Sequence, residues 1–384
     1  MTRQFTGYIE GYYGKLLQWE ERAHLLNAVA SAGMTSYFYA PKEDDRHRQF
    51  WRKPYDPAWN HAFGKFTDIA RAINVQVIAG IAPGLDFEFS SLTHAHDASS
   101  DFTILLKKAR QFVACGADFI ALMMDDIAAD FDLRAGSFKS EGEAHAILTN
   151  KLGEALDVPV IVVPRIYADC LITFDDLQSI AYLKDLVSNL DPHRKVVYCG
   201  EEIIAKLPNH DDSGYLDPTK VILWDNFYAN DYCPRRLFLG PWRVVSHPNV
   251  MLNLTGMVQT DLLLINLMVV AQNRGGRGLP GGKEAWCEVI SNAGVPDAFF
   301  DIAYYFDAPH GFNSSFDMPS QEDALTALEL LLWRWKSPLQ REWYSSMMGL
   351  KQDILMADAQ LPFERIKKTQ LWPLAIQLGA SGIK

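Results

Sequence analysis

The stretch Ile120-Ala121-Leu122-Met123-Met124-Asp125-Asp126-Ile127 joins five apolar residues directly to two adjacent carboxylates. A short apolar run of this kind is typical of a strand covered on both faces, as in a parallel sheet. The two acids follow where the strand ends. Like charges at close range disfavour joint ionisation, so such a pair is unfavourable unless a ligand or a reaction uses it. The pair is a candidate for catalysis, and a helix N-cap or a metal site are the alternatives.

Similar apolar runs recur through the first 280 residues and alternate with segments of helical periodicity. The runs predict eight strands, near residues 5–10, 35–39, 75–81, 118–124, 158–163, 195–199, 220–223 and 249–252. Strands that alternate with helices form parallel sheets, and eight such units favour a (β/α)₈ barrel of the TIM type over an open doubly wound sheet. The seventh unit is the weakest, because Arg235 to Ser246 has a poor helical pattern.

The alternating pattern ends at Pro280-Gly281-Gly282. Beyond it, only helical periodicity is found, in residues 322–335 and 341–357. We therefore predict a (β/α)₈ domain over residues 1–280 and a small C-terminal helical domain over residues 281–384. The tryptophans of the second domain are expected to fill its core, and a homodimer interface through the C-terminal helices is the alternative.

Composition limits the possible partners of the chain. The 384 residues carry a formal net charge of −11, whereas nucleic acids and anionic membranes attract a basic surface. The five cysteines are widely spaced and include no C-x-x-C, which favours free thiols in a reducing compartment. The N-terminus has no apolar signal region, and the longest apolar run is too short to span a bilayer. We expect a cytoplasmic protein whose partners are neither nucleic acids nor membranes.

The predicted strand ends offer carboxylates, amides, a lysine and aromatic rings. Active sites of barrel enzymes lie at the carboxyl ends of the strands. The residues there are Lys42, Asp86, Asp125, Asp126, Tyr167, Trp224, Asp225, Asn226 and Asn253, with Asp231 just beyond. The set contains no histidine, which disfavours a histidine-rich metal centre. Polar groups that match hydroxyls, beside a ring that matches the apolar face of a sugar, indicate a carbohydrate pocket.

An acid pair suits cleavage of a glycosidic bond. In most glycosidases the two catalytic carboxyls come from different strands, about 5–5.5 Å apart in retaining and ~6.5–9.5 Å apart in inverting enzymes. Two sequence neighbours fit neither arrangement easily. They fit substrate-assisted hydrolysis, in which the 2-acetamido group of the sugar is the nucleophile. One acid then orients the acetamido N–H, while the other protonates the leaving oxygen and afterwards activates water.

Several longer motifs occur in order along the predicted barrel. They are Gly7–Gly14, Tyr39–Asp45, Pro83–Asp86, Asp125–Ile127, Trp224–Asn226, Ala229–Tyr232 and Arg236–Pro241. In these motifs the chain resembles glycoside hydrolase family 84, the family of O-GlcNAcases and bacterial β-N-acetylglucosaminidases, over about residues 5–275. The resemblance implies a barrel glycosidase that needs neither a metal ion nor an organic cofactor.

The resemblance also implies a role for individual residues. Asp125 would orient and polarise the acetamido group, Asp126 would be the general acid and base, and Tyr167 would bind the acetamido oxygen. Trp224 would wall the pocket for the acetamido methyl group. The hydroxyls of the sugar would be held by the carbonyl of Gly7 and by Lys42, Asn226, Asp231 and Asn253.

Together these inferences predict a retaining exo-β-N-acetylglucosaminidase of the O-GlcNAcase type. It would remove terminal β-linked N-acetylglucosamine from a glycoprotein or oligosaccharide through an oxazoline intermediate. Two other classes stay open. A metal-dependent barrel hydrolase would use Asp125, Asp126, Asp225 and Asp231 and would lose activity on chelation. A non-catalytic N-acetylglucosamine sensor would keep the pocket without turnover.

Overall fold

The apolar runs predicted as strands are strands in the computed structural model, which describes residues 4–92, 97–173, 176–206 and 214–358. The strands are β1 (Thr6–Glu10), β2 (Ser36–Tyr39), β3 (Gln76–Ile81), β4 (Phe119–Met123), β5 (Val160–Val163), β6 (Lys195–Tyr198), β7 (Val221–Asp225) and β8 (Val250–Asn253). The described α-helices are α1 (Trp19–Ser31), α2 (Pro57–Ala72), α3 (Asp101–Ala114), α4 (Glu141–Glu154), α5 (Leu177–Asn189), α6 (Val258–Arg274), α7 (Gly282–Asn292), α8 (Gln321–Trp333) and α9 (Pro338–Asp358).

The strands pair in chain order, all parallel, and β1 pairs with β8 to close the barrel. This confirms the predicted TIM-type fold. The interior is filled by alternate residues of successive strands, among them Ile9, Phe38, Ile78 and Ala121, all of them buried. Because every strand is parallel, the eight carboxyl ends meet at one end of the barrel, which is where such folds place their active sites.

A buried ion pair supports that end of the barrel. Arg22 of α1 donates to both carboxylate oxygens of Glu10, the last residue of β1, at 2.8 and 2.7 Å. The hydroxyl of Tyr37 donates to the same carboxylate at 3.0 Å. A bidentate pair of this kind satisfies both charged groups without water. Together with the bond from Tyr37, it fixes β1, β2 and α1 relative to one another.

The predicted weakness of the seventh unit corresponds to a missing helix. Residues 226–249, all of them within the described part of the chain, connect β7 to β8 without helical structure. Pro234 and Pro241 interrupt this connection, and proline removes a backbone donor and clashes with the preceding turn of a helix.

By its internal contacts the chain divides into two units. The first comprises the described residues of Met1–Asn226 with Ser246–Asn253, and therefore holds all eight strands. The second comprises those of Phe227–Val245 with Leu254–Lys384, and holds α6 to α9. The predicted domain boundary at residue 280 stays a prediction. Residues 359–384 of the predicted helical domain lie outside the described residues.

The second unit has an aromatic core of its own. Trp343 of α9 is fully buried, and its ring centroid lies 5.5 Å from that of Trp335. Trp333, at the end of α8, is 46% exposed. Two of the three tryptophans therefore fill a core, and the homodimer stays a prediction. Among the described helices, none combines the length and the apolar character needed to cross a lipid bilayer.

Candidate active site

The two adjacent acids lie just beyond β4, and Lys42 meets them from the loop after β2. The ammonium of Lys42 donates to Oδ2 of Asp125 and lies 3.9 Å from Oδ2 of Asp126. Lys42 and Asp125 are both buried. Burial alone would raise the pKa of Asp125, but the adjacent ammonium outweighs burial and holds this pKa below its usual value. Asp125 is therefore a buried anion at neutral pH.

The second carboxylate oxygen of Asp125 is exceptional. Oδ1 is buried and has no hydrogen-bond partner among the described residues. A buried charged acceptor without a donor is costly, typically by about 1–3 kcal/mol or more. A ligand that brings an N–H or O–H group to this oxygen would remove that cost, so the atom marks a place where a donor of a substrate can bind.

Asp126 faces the solvent and is held by two tyrosines. Its side chain is 34% exposed, and its backbone has φ of +54°. The hydroxyl of Tyr13 donates to Oδ2 at 2.9 Å and that of Tyr167 to Oδ1 at 2.8 Å. Burial, and then the charge of Asp126, raise the pKa of both phenols, so each remains a protonated donor. Adjacent side chains of a regular strand point to opposite faces of the sheet. The left-handed backbone of Asp126 breaks this alternation, so the carboxyls of Asp125 and Asp126 can face one pocket.

A cluster of amides and an indole forms a second wall at the ends of β7 and β8. The indole N–H of Trp224 and the amide N–H of Asn253 both donate to Oδ1 of Asn226, at 2.8 and 3.0 Å. Asn226 in turn donates to the carbonyl of Ile203 at 3.0 Å. Oδ1 of Asn253 is buried and has no partner in the described part of the chain, so it is a second acceptor that a ligand could satisfy.

The position of the indole depends on Gly11, the first residue after β1. A Cβ atom at this position would lie 2.4 Å from the six-membered ring of Trp224, which no real contact permits. Glycine is therefore required for the indole to reach the end of the barrel. Phe38 supports the same ring from inside the barrel, edge to face, with centroids 5.7 Å apart.

Two further residues, Gly7 and Asp231, were predicted to bind the sugar. Gly7 is the second residue of β1 and pairs with Ser36 and Met251, so it lies within the sheet, three positions before Glu10. The small size of Gly7 matters there, since a Cβ atom would overlap the carbonyl oxygen of Ser36. Asp231 belongs to the second unit and is half-buried. The binding roles of both residues stay predictions.

The metal alternative would use Asp125, Asp126, Asp225 and Asp231, which all lie in the described ranges of the chain. Within these ranges, no group of three or more histidine, cysteine, aspartate or glutamate side chains could hold a metal ion. Asp125 is paired with Lys42 instead, and Asp225 is the last residue of β7. Asp86, which was also a strand-end acid, accepts from the side chains of Trp51 and Arg52 and so holds a loop.

Comparison with known proteins agrees with this geometry. The family model described as beta-N-acetylglucosaminidase matches residues 6–263, which include all eight strands and both adjacent acids. The chain belongs to the beta-N-acetylglucosaminidase family. It is a glycoside hydrolase.

Two curated relatives carry the same similarity. The chain is 29% identical to Protein O-GlcNAcase of Mus musculus over 251 residues, which are 63% of this chain and 26% of the mouse protein. The values for Protein O-GlcNAcase of Rattus norvegicus are the same. This member of the beta-N-acetylglucosaminidase family thus spans about a quarter of the length of these relatives.

Three residues of this beta-N-acetylglucosaminidase site were not predicted: Tyr13, His47 and Arg48. Tyr13 stood in the aromatic turn after β1, but its contact with Asp126 spans 113 positions of sequence. Arg48 donates from Nη1 to the carbonyl oxygen of Asp125 at 3.1 Å and from Nη2 to that of Asp126 at 2.5 Å. The sequence signal for Arg48 was its place in the charged loop that follows β2, in which Lys42, Arg46 and Arg48 are matched by three acids.

His47 belongs to the same loop and is fully buried, and its Nδ1 lies 2.9 Å from the carbonyl oxygen of Gly80. Burial, and then the charge of Lys42, lower the pKa of His47 to about 4. An unfolded chain has a histidine pKa of about 6.5. Between these values the unfolded state binds more protons, so the stability that His47 contributes is present above pH ~6.5 and is lost as pH falls.

We expect the free energy of unfolding to fall by about 3 kcal/mol through His47 alone between pH 7 and pH 4. Denaturant titration at several pH values would measure this in the wild type and in His47→Gln, which cannot titrate. His193→Gln is the matched control, because His193 is exposed. The fall should be shallower in His47→Gln and unchanged in His193→Gln. Equal pH dependence in all three proteins would refute the prediction.

Proposed function

We propose that this chain is a retaining exo-β-N-acetylglucosaminidase in which the 2-acetamido group of the substrate is the nucleophile. One observation carries the proposal. Asp125 is a buried anion with one oxygen paired to Lys42 and the other without a partner among the described residues, beside the solvent-facing carboxyl of Asp126. An acceptor of this kind suits the N–H of the acetamido group, and the exposed acid suits a glycosidic oxygen.

In the first step, Oδ1 of Asp125 would accept the acetamido N–H and increase the electron density on the acetamido oxygen. That oxygen attacks C1 of the sugar while the bond from C1 to the leaving oxygen breaks, and Asp126 gives its proton to the leaving oxygen. The product is an oxazolinium ion, the N-protonated form of the oxazoline, whose positive charge faces the carboxylate of Asp125. Favourable charge at this point lowers the barrier.

In the second step, Asp126 would take a proton from water as the water oxygen attacks C1. The bond from C1 to the acetamido oxygen breaks, and the acetamido group is restored. C1 is inverted twice, so its configuration is retained. Asp126 ends the cycle protonated, ready for another leaving oxygen.

The remaining predicted residues take supporting roles. Tyr167 donates to Asp126 in this structure, so binding of the acetamido oxygen would require its hydroxyl to change partner. Trp224 would face the acetamido methyl group, while Asn226 and Asn253 would bind hydroxyls with Lys42, Asp231 and Gly7. The hydrogen-bonded cluster of Trp224, Asn226 and Asn253 supports this part of the proposal.

Aryl β-glycosides of N-acetylglucosamine with one, two or three fluorine atoms on the acetyl group test the nucleophile. Fluorine withdraws charge from the carbonyl oxygen, so kcat/KM should fall at each step, by about tenfold or more over the series, or 1.4 kcal/mol. A flat series would exclude the acetamido group as nucleophile. NMR of the first-formed sugar should show the β-anomer.

The same assay separates the two alternative classes. Turnover that is lost with EDTA and restored by a metal ion would favour the metal-dependent hydrolase. A folded protein that binds N-acetylglucosamine without any turnover would favour the sensor.

The proposed substrate is a glycoprotein or oligosaccharide with terminal β-linked N-acetylglucosamine, and the proposed compartment is the cytoplasm. The curated relatives are named Protein O-GlcNAcase, which supports glycosylated serine or threonine as the first substrate to test. The five free cysteines support a reducing compartment. Sugar release from a glycosylated peptide, compared with release from a chito-oligosaccharide of matched concentration, would rank the two substrate classes.

A further inference from the structure

We infer that Arg48 is a positioning residue for Asp126: its guanidinium holds the carbonyl oxygens of Asp125 and Asp126 and so keeps the acid–base carboxyl aimed into the pocket. The inference rests on the proposed function, because it takes Asp126 as the general acid and base. Arg48 itself acts through the backbone and not on the sugar.

Arg48 forms two hydrogen bonds to successive backbone carbonyls. One guanidinium reaches two successive carbonyl oxygens, with Nη1 on Asp125 at 3.1 Å and Nη2 on Asp126 at 2.5 Å. The planar fork of arginine presents its N–H groups in a fixed arrangement, so two bonds restrict the orientation of the intervening peptide. A single bond would leave that peptide free to rotate.

The backbone that these bonds hold leaves the strand conformation within two residues. The amide of Met124 donates to the carbonyl of Val163 at 2.8 Å, one residue beyond the end of β4. Two residues later, Asp126 has φ of +54°. Left-handed backbone costs an L-residue roughly 1–2 kcal/mol, somewhat less for aspartate, so it persists where neighbouring groups enforce it. Arg48 supplies such an enforcing contact from outside the strand.

The loop that carries Arg48 is hydrogen-bonded to the end of β3. The carbonyl of the preceding residue, His47, accepts from the amide of Ala82 at 3.0 Å. The ring of His47 is bonded to the carbonyl of Gly80, also at the end of β3. These bonds hold the loop after β2 against the end of β3. Arg48, in the same loop, in turn holds the two residues that follow the end of β4 and Met124.

A purely electrostatic role would make a different prediction. The charge of Arg48 also contributes to the lowered pKa of Asp125. Lysine would preserve the charge, but its compact ammonium cannot reproduce the planar fork that bridges two carbonyls. Arg48→Lys keeps the positive charge without the planar guanidinium, and Arg48→Met removes both. The two variants therefore separate the effect of hydrogen-bond geometry from the effect of charge.

The experiment compares wild type, Arg48→Lys, Arg48→Met and a control on aryl and alkyl β-N-acetylglucosaminides with graded leaving groups. The control is Arg46→Met in the same loop, since Arg46 forms a half-exposed ion pair with Asp56 at 3.3 Å. Arg48→Met should lower kcat/KM, which reports the first chemical step, about 100-fold on the poorest leaving group and less than about fivefold on the best. Arg48→Lys should resemble Arg48→Met, and Arg46→Met should resemble wild type.

Two results would overturn the inference: equal losses on all leaving groups, or full activity in Arg48→Lys. A crystal structure of Arg48→Met is an independent test. If Asp126 keeps its φ near +54° and its hydrogen bonds to Tyr13 and Tyr167 in that variant, the inference is also overturned. Failure of the proposed function is recognised separately. It would appear as wild-type protein without turnover, or as Asp126→Asn with wild-type dependence on the leaving group, and the Arg48→Met structure still decides the positioning role.

Discussion

Asp126→Asn is expected to lower kcat/KM by about 10²–10⁴-fold on β-N-acetylglucosaminides with alkyl leaving groups. The alkyl oxygen leaves as an alcohol only if it receives a proton, and an amide cannot supply one. Asparagine is the informative replacement because it tolerates the left-handed backbone at this position, where φ is +54°. Steady-state kinetics on paired alkyl and nitroaryl substrates would measure the loss.

The nitroaryl substrate should be affected much less in its first step, because a nitrophenolate leaves without protonation. The second step still needs a base for water, so added azide, an anion that needs no base, should restore turnover in Asp126→Asn and form the β-glycosyl azide. Equal losses on both substrates, without azide rescue, would assign the acid–base role to another residue.

Asp125→Asn is expected to lower kcat by about 10²–10³-fold on all leaving groups, the effect of removing one preorganised electrostatic contact. A neutral amide neither polarises the acetamido N–H as strongly nor stabilises the positive charge of the oxazolinium ion. Because Asp125 acts on the acetamido group and not on the leaving oxygen, nitroaryl substrates should lose about as much activity as alkyl substrates. A loss confined to alkyl substrates would contradict the assignment.

Stability must be separated from catalysis in this variant. Asp125→Asn leaves the buried ammonium of Lys42 without its carboxylate, and breaking a buried pair typically costs about 3–5 kcal/mol. The double variant Asp125→Asn with Lys42→Met removes both charges. We expect it to recover part of the free energy of unfolding while staying inactive, so that activity and stability move in opposite directions.

The sequence predicted the barrel because each strand is a short run of apolar residues and each carboxyl end carries polar ones. Alternation of such runs with helical segments allows few topologies. The connection after β7 was the weak point, and the structure explains why: Pro234 and Pro241 prevent a helix there. Composition and periodicity suffice where one local pattern determines one element.

The site was predictable only as far as strand ends determine it. Lys42, Asp125 and Asp126 follow buried strands, and the closed barrel brings them together. Tyr13 and Arg48 reach the acids through loops, across 113 and 77 positions of sequence, and no periodic pattern encodes such contacts. Gly7 lies within β1, and the bond from its carbonyl to a sugar hydroxyl stays a prediction.

The left-handed backbone at Asp126 restricts which amino acids this position can hold. Glycine, asparagine and aspartate adopt that conformation readily, and of these three only aspartate can give and take a proton. Glutamate satisfies the chemistry but not the backbone, and glycine and asparagine satisfy the backbone but not the chemistry. One requirement on the backbone and one on the side chain are therefore met together by aspartate. We expect substitutions at this position to lower the activity of the enzyme.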